Sequence, residues 1–151
     1  MPQIALDTSV IIEYIDKDAE FQEQAKAVFT CLLNGEFEAI IPHSILSETY
    51  YVSAKIYQKL GIGNPEGVSA ELVEWLFRLP SVVIPTANKD LAIEAGRAKL
   101  KYCLSLTDCY VLAASQIYNC KVLFKKPEKE MASKIKELRR SYQLVFLEDF
   151  K

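Results

Sequence analysis

Five acids in this chain stand where carboxylates could do chemistry: Asp7, Glu48, Asp108, Glu128 and Glu130. Asp7 ends the apolar run Ile4-Ala5-Leu6 and opens the polar triplet Asp7-Thr8-Ser9. A residue at the carboxyl end of a buried strand faces the crevice where open α/β sheets bind ligands. Asp is also a favoured helix N-cap, and Thr8 and Ser9 are equally able caps. Glu48 lies one turn beyond Ile45 and one turn before Val52, at the border of an apolar stripe. There it must be neutral, paired or a ligand, because a bare buried carboxylate is costly. A Glu that reaches solvent or pairs with a Lys is the simpler account. Asp108 closes Ser105-Leu106-Thr107-Asp108, a capping-box pattern, yet it shares a helix face with Val111, Leu112 and Ser115. Glu128 and Glu130 follow an apolar run in Lys125-Lys126-Pro127-Glu128-Lys129-Glu130, where early helical acids complement the helix dipole.

Taken singly, each acid has a local explanation. Their joint placement does not, because Asp7 and Glu128 follow strand ends while Glu48 and Asp108 start helices packing on the same sheet edge. Four carboxylates meeting without matching cations repel, and their pKa values rise. A divalent cation removes that conflict. Oxygen-only donors suit the hard ions Mg²⁺ and Mn²⁺, which keep several waters and bind phosphate oxygens. Such an ion activates water, orients a phosphodiester and neutralises charge on the leaving oxygen.

The elements that must position these acids follow from the apolar pattern. Ile4–Leu6, Phe37–Ile41, Val82–Ile84, Lys121–Phe124 and Leu144–Leu147 read as strands. Helices are predicted from near Val10, over Phe21–Leu33 ended by Asn34-Gly35, and from Ser44 as cap. Asn64 and Pro65 suit the cap and first position of a helix that ends before Pro80. Further helices span about 87–100, 105–119 and 128–140. Strands that are nearly all apolar and alternate with helices predict an α/β fold, a parallel sheet of about five strands covered by helices on both faces. The break Gly61–Pro65 reads as a loop between helices, so residues 1–151 form one domain.

Composition narrows the classes. Half of the residues are hydrophobic and a quarter charged, as in a packed globular chain and not a disordered one. No apolar run reaches the roughly 18 residues of a membrane span. The N-terminus lacks the basic start of a signal peptide, so the cytoplasm is the expected compartment. Cys31, Cys103, Cys109 and Cys120 show no Cys-x-x-Cys spacing, and His43 is the single histidine, so a zinc site is not expected. All four cysteines are expected in core or half-buried positions.

The net charge is −2, but it is unevenly spread. Residues 1–80 carry 5 basic and 12 acidic side chains, whereas residues 81–151 carry 13 basic and 8 acidic. Lys121–Arg140 alone holds eight Lys/Arg against three Glu. Such a run is either a solvated helix face or a phosphate-attracting patch beside an acidic site.

The strings Ile4-Ala5-Leu6-Asp7-Thr8-Ser9-Val10-Ile11-Ile12, Ser47-Glu48 and Leu104-Ser105-Leu106-Thr107-Asp108-Cys109-Tyr110-Val111-Leu112-Ala113-Ala114 resemble the PIN-domain nucleases, and within them VapC-type toxins. The resemblance covers nearly the whole chain. It implies Asp7, Glu48 and Asp108 as acidic metal ligands, Thr8 or Ser9 as a supporting hydroxyl, and Thr107 as a polar neighbour of Asp108. The family usually places a fourth acid in a Gly-Asp pair after the fourth strand. Pro127-Glu128 stands there instead, with Glu130 as the alternative. The resemblance further implies a metal-dependent ribonuclease using Mg²⁺ or Mn²⁺, a homodimer, RNA as substrate, and an antitoxin that blocks the site.

On this reading Lys125, Lys126 and Lys129 would meet the RNA backbone, and Tyr14, Tyr50 or Tyr51 could stack a base, though helical aromatics are more often core. Two other readings use the same residues. A phosphatase with Asp7 as covalent nucleophile would normally carry a second acid two residues on, where Ser9 stands. A non-catalytic interaction module would have lost its site at Glu128. Val68–Leu79, with Leu72, Trp75, Leu76 and Leu79, is apolar enough to be core or dimer face, and core is expected for most of it.

Overall fold

The computed structural model describes residues 1–150. Strands and helices alternate as β1 (Gln3–Leu6), α1 (Thr8–Ile15), α2 (Gln22–Leu33), β2 (Glu38–Ile40), α3 (His43–Lys59), α4 (Pro65–Arg78) and β3 (Val82–Val83). The second half runs α5 (Lys89–Tyr102), α6 (Leu106–Ile117), β4 (Lys121–Phe124), α7 (Lys129–Ala132), α8 (Ile135–Ser141) and β5 (Gln143–Phe146), closed by a 3-10 turn at Leu147–Asp149.

The five strands form one sheet in the order β3-β2-β1-β4-β5. Every pairing is parallel, with Ile4 opposite Ala39 on one side and Lys121 on the other. The expected class and strand count are therefore borne out. Successive strand residues point to opposite faces. Ala5 and Leu6 are both fully buried, as are Ile40 and Val122, so helices cover both faces of the sheet centre. The order matters for function. The chain leaves β1 toward β2 on one side and later returns to β4 on the other, and a crevice opens at the carboxyl ends of strands where such an order reverses.

Local chemistry sets the helix ends. Asp7 caps α1, which starts at Thr8 and not near Val10, because its carboxylate accepts the Ser9 N–H at 3.0 Å. Pro42, not Ser44, precedes α3, and the Ser44 hydroxyl is buried in the first turn without a partner. Asn64 caps α4 with Pro65 in the first turn, as expected. The single helix predicted over 128–140 is two, α7 and α8. It breaks where the Lys134 ammonium turns to the Tyr102 carbonyl at the end of α5. Cys103 differs too: it holds the left-handed position that ends α5 (φ 56°), which leaves it exposed, while Cys109 and Cys120 are buried as expected.

One aromatic stack ties three helices together. Phe29 of α2 lies 4.1 Å from the Tyr14 ring of α1, and the Trp75 ring of α4 stands 6.2 Å from Phe29. Tyr14 is thus part of the packing and not a free base-stacking surface. Leu76 is fully buried beside it, and Leu72, Trp75 and Leu79 pack on the core, so α4 contributes chiefly to the interior. Phe29→Ala should destabilise the fold by about 3–5 kcal/mol, read from urea unfolding midpoints; a change under about 1 kcal/mol would show that the stack is not where the helices are joined.

Candidate active site

Asp7 leaves β1 into α1 at the point where the strand order reverses. Its own N–H extends the ladder to the Leu123 carbonyl of β4 at 3.0 Å. One carboxylate oxygen, Oδ2, accepts both the Ser9 N–H (3.0 Å) and the Ser9 hydroxyl (2.6 Å). The other, Oδ1, is buried with no hydrogen-bond partner. Helix capping therefore explains one oxygen of Asp7 and leaves the second unexplained. A buried acceptor without a partner carries a desolvation cost of about 1–3 kcal/mol, more for a charged group.

The strand after the reversal brings the rest. Lys125 to Glu128 follow β4 directly, and the Lys125 N–H donates to Ser9 Oγ at 3.0 Å, so Ser9 bridges Asp7 to the β4 end. Glu128 stands at the N-cap position of α7, but its side chain makes no capping hydrogen bond. Glu48 sits half-buried on α3, and Tyr51 one turn on donates its hydroxyl to Glu48 Oε2 at 3.4 Å.

Asp7, Ser9, Glu13, Glu48, Lys125 and Glu128 line one cavity of about 300 Å³, with Thr8 and Lys126 also in its wall. A larger cleft of about 880 Å³ opens elsewhere, between α2 and the β4–β5 side, with Val28, Leu123 and Val145 in its walls. It lacks the acids at the strand reversal, so the smaller cavity is the candidate site.

Electrostatics ties a further acid to this cavity. Asp108 stands on α6 with its N–H bonded to the Ser105 hydroxyl at 3.2 Å, and it is only 6% exposed. It does not line the cavity, but it is close enough to be repelled by acids that do. Burial first, then repulsion from Asp7 and Glu128, pushes its carboxyl up to about 8, against a lowering pull from the Ser105 hydroxyl. Asp7 rises to about 6, mainly by burial, with Ser9 holding it down and Glu48 and Glu128 pushing it up. Glu128 is raised as well, by partial desolvation, then by Glu48 and Glu130, while Lys125 pulls it down. Burial is the largest cause of all three shifts, and repulsion between the acids adds to it.

Asp7, Glu48 and Glu128 thus share a cavity, Asp108 lies beside it, and Thr107, Lys129 and Glu130 do not line it. Among the described residues, no three acid, His or Cys side chains stand close enough to ligate one ion directly. The four acids therefore do not form the tight cage the sequence suggested. Lys134 and Arg139 donate to the Tyr102 and Leu144 carbonyls, so part of the charge between Lys121 and Arg140 holds the fold together. Tyr50 donates to Glu66 at 3.1 Å, which leaves half-exposed Tyr51 as the aromatic beside the acids.

Sequence reasoning missed Glu13. It is 3% exposed on α1 and lines the same cavity. The signal was present, since Glu13 interrupts the apolar run Val10-Ile11-Ile12 and Tyr14-Ile15 just as Glu48 borders an apolar stripe.

Among the described residues, no helix is long and apolar enough to cross a membrane. No curated protein sequence matches the chain. Solved structures do. A toxin–antitoxin complex from Klebsiella pneumoniae is similar at TM-score 0.62 and 17% identity, over 95% of this chain and 97% of that one. VapBC-1 from nontypeable Haemophilus influenzae gives TM-score 0.63 at 14% identity, over 97% and 98%. Mycobacterium tuberculosis VapC20, described as a sarcin-ricin loop cleaving toxin, gives 0.60 at 14%, over 86% and 93%. At such identities the likeness establishes the fold. The family model of the PIN domain matches residues 4–138, and with that match the chain belongs to the PIN domain family.

Proposed function

We propose that this PIN-domain chain is a divalent-metal-dependent ribonuclease, the toxin of a toxin–antitoxin pair acting on cytoplasmic RNA. The observation that carries the reading is the Asp7 carboxylate, with one oxygen fixed by Ser9 and the other buried and unpartnered among repelling acids. An all-carboxylate donor set fits a hard cation, Mg²⁺ or Mn²⁺. Asp7, Glu48, Asp108 and Glu128 would hold it, the gaps between them taken up by side-chain rotation and by the waters such ions retain. When bound, the ion supplies an activated water and neutralises charge on the phosphate.

The chain's own residues do the rest. Ser9 orients Asp7 so that Oδ1 stays free. Lys125 and Lys126 place positive charge in the cavity wall, where a phosphate backbone is attracted, and exposed Lys129 extends that charge outward. RNA as substrate draws support from the loop-cleaving description of VapC20, and an antitoxin partner from the toxin–antitoxin complexes of similar fold.

The test is cleavage of a single-stranded RNA by EDTA-stripped protein, with and without added Mg²⁺ or Mn²⁺. Cleavage should appear only with the ion and fall to background in Asp7→Asn. Cleavage that persists in EDTA and in Asp7→Asn would end the reading. A wild type that neither cleaves RNA nor gains thermal stability from Mn²⁺ would favour a non-catalytic module.

A further inference from the structure

Glu13 and Lys125 form an ion pair at 2.9 Å inside the acid-lined cavity, with side-chain exposures of 4% and 31%. The pair is unusual in how completely it is held. Glu13 uses its second oxygen to accept the Phe21 N–H at 2.8 Å. Lys125 has its N–H on Ser9 Oγ, its carbonyl on the Glu148 N–H at 3.1 Å, and its ammonium on Glu13. Lys125 is therefore fixed at both ends, and the same Ser9 hydroxyl that holds its backbone also orients Asp7. Other cations of the fold, Lys99, Lys134 and Arg139, turn to backbone carbonyls away from this cavity.

Stability does not account for the pair. An ion pair with a buried carboxylate is often no better for the fold than apolar side chains of the same volume, because Glu13 is desolvated even though Lys125 stays partly exposed. Adding a buried carboxylate to a cavity already crowded with Asp7, Glu48 and Glu128 makes the electrostatics worse unless it fixes a cation. An ammonium has three donors, so a lysine bonded to Glu13 keeps two for a ligand.

We propose that Glu13 is a positioning residue, which aims the Lys125 ammonium into the cavity as a preset contact for a phosphate oxygen of bound RNA. The proposal rests on the ribonuclease reading and adds a role for a side chain outside the acid set. A cation fixed in advance acts on charge that develops at the phosphate, at no cost of reorganisation during the reaction, so it should act on turnover more than on binding. A mobile surface lysine acts mostly on binding, through salt-sensitive attraction.

Glu13→Gln, Lys125→Met and the double variant test this with a single-stranded RNA oligonucleotide and Mn²⁺. Glutamine still offers a carbonyl to the Phe21 N–H, and the double variant leaves no buried charge unpaired, so folding is checked by the melting temperature of each. Each single change should lower kcat at least about tenfold, with KM changing far less. The double variant should lose no more than Lys125→Met alone, since Glu13 acts only through Lys125. Losses that multiply in the double variant, or that fall on KM and vanish with added salt, would overturn the proposal while leaving the nuclease reading intact. A wild type that cleaves no RNA under any ion would remove both together.

Discussion

Asp108→Asn should abolish RNA cleavage and, in EDTA, raise the melting temperature of the protein. The two effects have opposite signs because one carboxylate serves both. Asp108 is nearly fully buried and repelled by Asp7, Glu128 and Glu48, so ionising it in the metal-free fold is unfavourable. One pKa unit corresponds to about 1.4 kcal/mol. A carboxyl held near 8 therefore costs the ionised fold on the order of a few kcal/mol, and an uncharged side chain of the same shape removes that cost. The expected gain is several degrees in a thermal melt at pH 8 without metal. With Mn²⁺ present the order should invert, because the wild type gains from an ion the variant binds poorly. A variant that melts below the wild type in EDTA, or that still cleaves, contradicts this view of Asp108.

The second large effect is on pH. Asp7 and Asp108 both have folded pKa values above the ordinary aspartate value of 3.8, at about 6 and about 8. A raised carboxyl means the folded state holds its proton more tightly than the unfolded state does. The associated stability is complete below the unfolded value and is lost as pH rises through the folded one. Metal-free protein should thus lose stability between about pH 4 and pH 8, in the range set by these two groups. Glu48 and Glu128 face Asp7 with the same sign, and the opposing charge of Lys125 is engaged by Glu13. The slope should flatten in Asp108→Asn and reverse when Mn²⁺ is added, since the ion favours deprotonated ligands. Melting temperatures across that range with EDTA, for wild type and variant, decide it. A metal-free stability that climbs toward pH 8 would contradict the electrostatic picture.

Much of this architecture is written in local pattern. Ile4-Ala5-Leu6 and Lys121–Phe124 read as buried strands because a parallel sheet covered on both faces needs unbroken apolar runs. Asn64-Pro65 announced a helix start through backbone chemistry that acts over three residues. What local pattern could not carry was set by contacts across the fold. The break between α7 and α8 occurs where Lys134 finds the Tyr102 carbonyl, 32 residues away in sequence. The basic run stayed open for the same reason, since composition cannot tell a cation bound to a carbonyl from one facing solvent or a ligand.

The acids divide along the same line. Asp7 was legible because a strand end is a place as well as a pattern, and its unpartnered oxygen gives that place a purpose. Glu13 was legible in principle, as a charge inside an apolar helical run, but its lysine partner lies 112 positions away. How far apart the acids stand depends on side chains from separate elements, which no spacing in the sequence encodes.

The central claim is that these separated acids form one divalent-cation site. Calorimetric titration of Mn²⁺ into EDTA-stripped wild type, Asp7→Asn and Asp108→Asn tests it without reference to any substrate. Wild type should bind with proton release at pH 7, and each variant should lose most of that binding. Equal Mn²⁺ binding by all three proteins, or none by the wild type, would contradict it.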